Sequence, residues 1–247
     1  MKSMRRFCLA MATVAGVSLA GAALGETQDS APATIVVAQG KTGALANPAG
    51  TVWKSVPQAR VAVTTAPPGH PSIVGVATTT ELKAQAAKSK NELFIRLQWK
   101  NPSKDQRRGI GQFADAVAVE FAADGSAETL PYMGGDGRRV NIWYWNASNN
   151  AAENLVANGF GTLTHVPVQD VKASGKYAHG IWTVVFHRAV KPQGDDNVTL
   201  QVKPGTNLPV AFAVWNGANK ERDGFKAVTL QWQQLAFGER TQIGAGR

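Results

Sequence analysis

From Val52 onward, turn signals divide the sequence into short strand-like runs at regular spacing. The runs are residues 60–65, 73–79, 92–100, 114–121, 139–145, 181–189, 208–215 and 227–235. Turn signals between them include Pro67-Pro68-Gly69, Asp124-Gly125 and Asn216-Gly217. Residues 81–90 are expected to form a short helical turn or a loop, and no long amphipathic helix is visible. This pattern predicts an all-β fold, an antiparallel β-sandwich with short helical turns in its loops.

Residues 1–25 have the character of a secretory signal peptide. Lys2, Arg5 and Arg6 charge the first segment, residues 7–24 are apolar and small, and Ala23-Leu24-Gly25 is a suitable cleavage site. We expect this segment to be removed, so that the mature protein is soluble, periplasmic and not anchored in a membrane. Because the Arg5-Arg6 pair lacks the wider twin-arginine motif, the general secretory route is favoured.

Two further regions follow the signal. Residues 26–50 are rich in Ala, Gly, Thr and Gln with little periodicity, and are expected to form an extended N-terminal arm. Residues 51–247 are expected to form one β-sandwich domain, since all-β domains of this length are common.

The cysteine count and the charge exclude several classes of protein. The only cysteine, Cys8, lies in the signal, so a disulfide framework, a cysteine metal site, a cysteine nucleophile and covalent haem attachment are excluded. The formal net charge of +9 falls to +6 when the three basic residues of the signal are subtracted. The one basic cluster is expected at a solvated hairpin tip and not in a nucleic-acid site, which leaves open a docking surface for an acidic protein. It consists of Lys100, Lys104, Arg107 and Arg108.

No catalytic motif is visible. The sequence has no nucleophile elbow, phosphate loop or dinucleotide fingerprint, and its histidines lack metal-ligand spacing. The histidines are His70, His165, His179 and His187. Carboxylates that lie close in sequence are expected on hairpin rims and not as a catalytic pair; they are Asp115, Glu120, Asp124 and Glu128. We therefore expect no catalytic residues and a non-enzymatic role.

Two segments carry unusual side chains. Residues 130–145, LPYMGGDGRRVNIWYW, join a glycine-rich loop to an alternating aromatic strand, and Met133 lies in that loop. Met133 is either a core residue that fills a gap or a thioether that the loop presents to a ligand. Residues 210–235 place Lys226 at the start of an apolar strand. Either its stem packs while its ammonium reaches solvent, or the amine has a function inside the fold.

Several short motifs occur together with these segments. They are DAVAVEF at 115–121, PYMGGD at 131–136, VNIWYW at 140–145, GIWTVVF at 180–186 and AVWNGANKERDGFKAV at 213–228. Over about residues 50–237, the chain resembles the haem-binding gamma subunits of periplasmic molybdenum enzymes. This family includes subunits of ethylbenzene dehydrogenase, dimethylsulfide dehydrogenase, selenate reductase and chlorate reductase.

The resemblance implies a β-sandwich that binds one non-covalent b-type haem, with a methionine and a lysine as the iron ligands. Met133 matches the methionine, and Lys226 is our match for the lysine. Lys220 is the alternative lysine, and His187 remains open as a histidine ligand. A thioether and an amine on the two axial positions suit electron transfer because no iron position is left open. Lysine ligates only as the neutral amine, so burial must lower its pKa from about 10.4.

The resemblance also implies the partners. The subunit would pass electrons between a soluble c-type cytochrome and the iron–sulfur subunit of a molybdenum oxidoreductase, whose catalytic subunit carries molybdopterin. Chlorate or selenate reduction is the preferred activity of that complex. The competing interpretation is a secreted carbohydrate-binding β-sandwich module in which Trp143, Trp145 or Trp215 stacks on sugar rings.

Overall fold

The computed structural model describes residues 31–69, 71–107, 109–135, 137–191, 200 and 204–238. The predicted signal 1–25, the first residues of the predicted arm, His70 and Arg108 lie outside these ranges. Among the described residues, no helix is long and apolar enough to cross a membrane.

Within this part of the chain, the structure contains 14 strands and three short helical turns. The strands are β1 (Thr34–Gln39), β2 (Ala59–Ala62), β3 (Thr64–Thr65), β4 (Glu81–Ser89), β5 (Glu92–Lys100), β6 (Ala116–Ala122), β7 (Val140–Asn146), β8 (Ala151–Ala157), β9 (Thr164–His165), β10 (Lys172–Ala178), β11 (Ile181–Ala189), β12 (Thr206–Trp215), β13 (Ala227–Val228) and β14 (Gln233–Phe237). The turns are α1 (Thr42–Leu45) and the 3-10 turns Thr51–Ser55 and Gly217–Asn219. The prediction of an all-β fold with short helical turns in its loops is confirmed.

Strand β1 joins the two layers of the sandwich. One layer has the order β10-β11-β5-β4, and the other has the order β14-β12-β6-β7-β8-β9. Residues 34–36 of β1 pair with β14, and residues 37–39 pair with β4. These two pairings are parallel, whereas the other pairings between described strands are antiparallel. The predicted antiparallel sandwich thus contains one parallel strand, at the join between its layers.

Aromatic side chains fill the space between the layers. The ring of Trp145 on β7 lies 5.0 Å from that of Trp182 on β11 and 6.5 Å from that of Trp99 on β5, measured between centroids. Trp143 packs edge-on against Phe121 at 4.9 Å. Because strand residues alternate between faces, the inward position of these tryptophans turns Val140, Ile142 and Tyr144 to the opposite face of β7. That second face carries the candidate site.

Residues 34–45, which belong to the predicted N-terminal arm, are instead part of the domain. Ile35, Val37 and Leu45 are buried, and β1 pairs with β14 through its first half and with β4 through its second half. The expected boundary at residue 50 is therefore not a structural boundary. The consecutive β-branched residues Thr34, Ile35, Val36 and Val37 were a strand signal, but the strand is short and the sequence on both sides of it is rich in small and polar residues.

Strand β4 corresponds to the segment that was expected to be a helical turn or a loop. Its sequence, ELKAQAAKS, consists mainly of good helix formers, yet it pairs with β5, β2 and β1. Pairing on both edges outweighs intrinsic propensity here. Residues 73–79, expected to be a strand, form a loop, and strands β8 and β10 were not predicted.

The expectation that four carboxylates lie on hairpin rims is correct for Asp124 and Glu128, which are exposed beside Arg138. It is wrong for Asp115 and Glu120, which are buried. Asp115 accepts hydrogen bonds from Asn101 Nδ2 (2.7 Å), Asp105 N (2.7 Å), Trp182 Nε1 (2.8 Å) and Gly217 N (3.0 Å). It therefore joins four segments at one end of the sandwich, whereas Glu120 faces the candidate site.

Candidate functional site

The outer face of the second layer is built largely from small side chains. On β6, Ala118 and Ala122 occupy this face, and Glu120 lies between them. The neighbouring strand β12 contributes Ala211 and Ala213. Alanine side chains leave space above the sheet, and the loops that surround this face cover part of that space.

This space is a partly open cavity of about 530 Å³. This volume lies in the range of about 300–1,000 Å³ that is typical of ligand and cofactor sites. Aromatic walls come from Phe113, Tyr144, Phe160 and Trp215. Met133 and Lys226, which are 93 positions apart in the sequence, both line it. The structure therefore brings the two predicted ligand residues to one cavity.

The backbone of Met133 is held in an unusual conformation. Its φ is +71°, in the left-handed region that a non-glycine residue adopts only when its surroundings impose it. The Met133 N–H donates to Glu120 Oε2 at 3.0 Å, and the Met133 carbonyl accepts from Gly159 N at 2.6 Å. The next residue, Gly134, has φ +64°, and a Cβ there would lie 2.6 Å from the Arg138 carbonyl oxygen. The loop thus requires glycine beside Met133, whose side chain is buried at the cavity.

Lys226 lies almost wholly inside the fold, with 5% of its surface exposed. Its Nζ is 5.1 Å from the centroid of the Trp215 ring and 5.9 Å from that of Phe160. Burial lowers the pKa of Lys226 from 10.5 to about 8, although the negative charges of Glu120 and Asp223 act in the opposite direction. The neutral amine, which is the form that can ligate a metal, is therefore more accessible here than on an exposed lysine.

Glu120 is the site residue that the sequence interpretation missed. Burial raises the pKa of its carboxyl from 4.5 to about 7, against the opposing effects of the Met133 N–H and the charge of Lys226. Its Oε1 has no hydrogen-bond partner among the described residues. A charged residue inside the alternating run AVAVEFA was the available signal, since the positions two residues away on the same face are alanines.

The alternative ligands lie elsewhere. Lys220 is exposed, has φ +58° at the end of the turn Gly217–Asn219 and does not line the cavity. His187 lies on β11 of the other layer, 3.2 Å from Glu92 Oε1 and stacked on Phe94. His165 does reach the cavity, but it is exposed and its Nε2 lies 3.0 Å from Glu153 Oε2.

The tryptophans proposed for sugar stacking are not equivalent. Trp143 and Trp145 are fully buried between the layers, so neither is available as an exposed platform. Trp215 faces the cavity, where its Nε1 donates to the Asp223 carbonyl at 3.1 Å. Two of the three residues on which the carbohydrate-binding interpretation depended are thus part of the core.

The fold resembles that of a solved carbohydrate-binding protein. A carbohydrate binding module family 9 domain from Caldicellulosiruptor kristjanssonii, in complex with glucose, superposes with a TM-score of 0.53. The match covers 86% of this chain and all of that chain at 13% identity. A likeness at this identity shows a shared fold only.

Sequence comparisons identify closer relatives. The chain is 38% identical to the chlorate reductase subunit gamma of Ideonella dechloratans over 94% of this chain and 97% of the relative. It is 36% identical to the dimethylsulfide dehydrogenase subunit gamma of Rhodovulum sulfidophilum over 75% of this chain and 73% of that relative. It is 34% identical to a protein of Haloferax mediterranei provisionally named respiratory nitrate reductase heme subunit ORF7. That match covers 79% of this chain and 69% of the relative. The model of the ethylbenzene dehydrogenase family matches residues 50–166 and 162–227, and the chain therefore belongs to that family of gamma subunits.

Proposed function

We propose that this chain is the electron-transfer subunit of a periplasmic molybdenum oxidoreductase and binds one non-covalent b-type haem in the cavity. The observation that carries the proposal is the convergence of Met133 and Lys226 on one apolar cavity. The names of the relatives, two gamma subunits and one haem subunit, support it. Electrons would pass between a soluble c-type cytochrome and the iron–sulfur subunit, whose partner is the molybdopterin catalytic subunit.

The residues present fit a haem. The alanine floor and aromatic walls suit a flat apolar macrocycle, and Glu120 Oε1 is a buried oxygen without a hydrogen-bond partner among the described residues. When bound, the haem supplies one-electron redox chemistry. Met133 would provide a soft sulfur donor and Lys226 an amine donor. Arg107 and Arg222 are also among the residues that line the cavity, where their positive charge suits the carboxylates of a haem.

Lys226 is preferred over Lys220 and His187 on position and chemistry. It alone of the three lines the cavity, and its burial favours the neutral amine that ligation requires. If Met133 and Lys226 both hold the iron, they would leave it no position for a substrate, and this chain would transfer electrons without acting on one. The extent of the match to a chlorate reductase subunit favours chlorate as the substrate of the complex.

The experiment that tests the proposal is the absorption spectrum of the periplasmic protein in its oxidised and reduced forms, followed by a pyridine haemochrome assay. We expect a b-type spectrum and haem that acid acetone extracts. A protein that is colourless, and stays colourless after haem is supplied, would overturn the proposal.

A further inference from the structure

The loop that carries Met133 is tied to the floor of the cavity by one buried carboxylate, that of Glu120. We infer that Glu120 is a positioning residue: by accepting the hydrogen bond from the Met133 N–H, it holds the loop so that the thioether stays in the cavity. This inference rests on the proposed haem function, and it assigns Glu120 no contact with the haem iron.

The first argument is the conformation of Met133. A φ of +71° is costly for a residue with a Cβ, so the loop needs contacts that offset the cost. Two contacts do so: Glu120 Oε2 accepts from the Met133 N–H at 3.0 Å, and Gly159 N donates to the Met133 carbonyl at 2.6 Å. They fix the peptide groups on both sides of the Met133 Cα, and hence the direction of its side chain.

The second argument is the position of Glu120 in the sheet. It lies in the middle of β6, opposite Ile142 of β7 on one side and Ala211 of β12 on the other. A carboxylate at the centre of a sheet is held by two ladders of backbone hydrogen bonds and is a rigid point of attachment. Its burial is unfavourable unless it forms a strong hydrogen bond, and among the described residues the Met133 N–H provides that bond.

The third argument concerns Lys226, the other group that Glu120 could serve. Their opposite charges attract, but among the described residues the two form no salt bridge within 4.0 Å. The contact of Glu120 with Met133 is direct, whereas its effect on Lys226 acts over a longer distance. The geometry therefore indicates that Glu120 positions Met133 and not Lys226.

The test measures how firmly Met133 holds the iron in the haem-loaded full-length protein. Imidazole displaces a weak axial ligand, and the near-infrared charge-transfer band of a ferric–thioether bond disappears when the methionine leaves. We would titrate imidazole into the unmodified protein and into Glu120→Ala, Glu120→Gln and Glu128→Gln. Glutamine keeps an oxygen that can accept the Met133 N–H, and alanine does not. Glu128 is a matched control because it lies in the same segment between β6 and β7 as Met133. Its carboxylate is exposed and pairs with Arg138, away from the cavity floor.

Loss of a hydrogen bond to a charged group corresponds to about a tenfold to hundredfold change in an equilibrium. We therefore expect Glu120→Ala to lose the sulfur band at an imidazole concentration at least about tenfold lower than the unmodified protein. Glu120→Gln should lie between Glu120→Ala and the unmodified protein, since a neutral hydrogen bond is weaker than a charged one but keeps the Met133 N–H paired. Glu128→Gln should not change the titration.

Equal titrations for Glu120→Ala and the unmodified protein would overturn the inference. So would a Glu120→Gln variant that behaves like Glu120→Ala, because the charge and not the hydrogen bond would then be responsible. Failure of the proposed function looks different: the unmodified protein would bind no haem, or Met133→Leu would keep the sulfur band.

Discussion

The Nζ of Lys226 lies 5.1 Å from the centroid of the Trp215 ring, and only 5% of the surface of Lys226 is exposed to water. An ammonium so placed gains from the aromatic ring but loses most of its hydration. Binding of Lys226 to a metal would remove that cost, because the side chain would then be the neutral amine.

Lys226→Ala should therefore abolish the low-spin ferric signal of the native haem in low-temperature electron paramagnetic resonance, since the iron loses one strong axial ligand. Lys220→Ala is the control, because Lys220 is exposed and does not line the cavity. If Lys220→Ala removes the signal and Lys226→Ala does not, the assignment of the lysine is wrong.

Met133→Leu should lower the haem reduction potential or reduce haem retention. Leucine has nearly the volume of methionine but no sulfur, so the substitution removes the soft donor that stabilises ferrous iron while it preserves packing. Potentiometric titration measures the first effect and the haem-to-protein ratio the second. An unchanged potential at full haem occupancy would exclude Met133 as a ligand.

The stability of the haem-free protein should depend on pH through the same two buried charges. The pKa of Glu120 rises from 4.5 to about 7 on folding, so between these values the folded state binds more protons and the free energy of unfolding falls as pH increases. The pKa of Lys226 falls from 10.5 to about 8, so between about pH 8 and 10.5 the unfolded state binds more protons and the free energy of unfolding rises with pH. Together these two groups stabilise the fold least between about pH 7 and 8.

Urea unfolding of the haem-free protein from pH 5 to 10 checks this dependence. Glu120→Gln should remove the decrease in the free energy of unfolding between about pH 5 and 7. Lys226→Met should remove the increase in the free energy of unfolding above about pH 8. The comparison uses differences between variant and unmodified protein, so groups outside the site cancel. Curves that stay parallel across the whole range would contradict the role of these two charges.

The strands that sequence reasoning located well are those whose own pattern determines them. β5 and β11 have the predicted bounds because each alternates apolar and polar residues between clear turn signals. β4 was missed because its helix-forming residues become a strand only through pairing with β5, β2 and β1. The sequence pattern within β4 does not show which strands it will pair with.

The same distinction applies to the site. Met133 and Lys226 were proposed from motifs, but their shared cavity depends on contacts between distant segments that no local spacing encodes. Glu120 was placed on a hairpin rim because a charge in a strand usually faces solvent. Its real environment follows from the loop that covers β6, and hence from the backbone N–H of Met133.

Gly175→Ala should destabilise the protein without altering the haem site. A Cβ at Gly175 on β10 would lie 2.2 Å from Cζ2 of Trp145, so the two layers cannot keep their present separation there. Trp145 cannot easily move, because its Nε1 donates to Asn150 Oδ1 at 2.9 Å and its ring is fully buried between the layers. Overpacking of this kind costs about 1–3 kcal/mol, and for a domain of this size each kcal/mol lowers the melting temperature by about 2–4 °C.

Gly43→Ala is the matched control, because nothing lies within 4 Å of a Cβ at Gly43 and the residue belongs to the short helix α1. For Gly43→Ala we expect the free energy of unfolding to stay unchanged or to increase by about 0.5–1 kcal/mol, since alanine favours a helix more than glycine does. Calorimetry of both variants measures these differences. The haem spectrum of folded Gly175→Ala should match that of the unmodified protein, because neither Gly175 nor Trp145 lines the cavity. A changed spectrum would show that the core between the layers and the cavity on the outer face are coupled through β7.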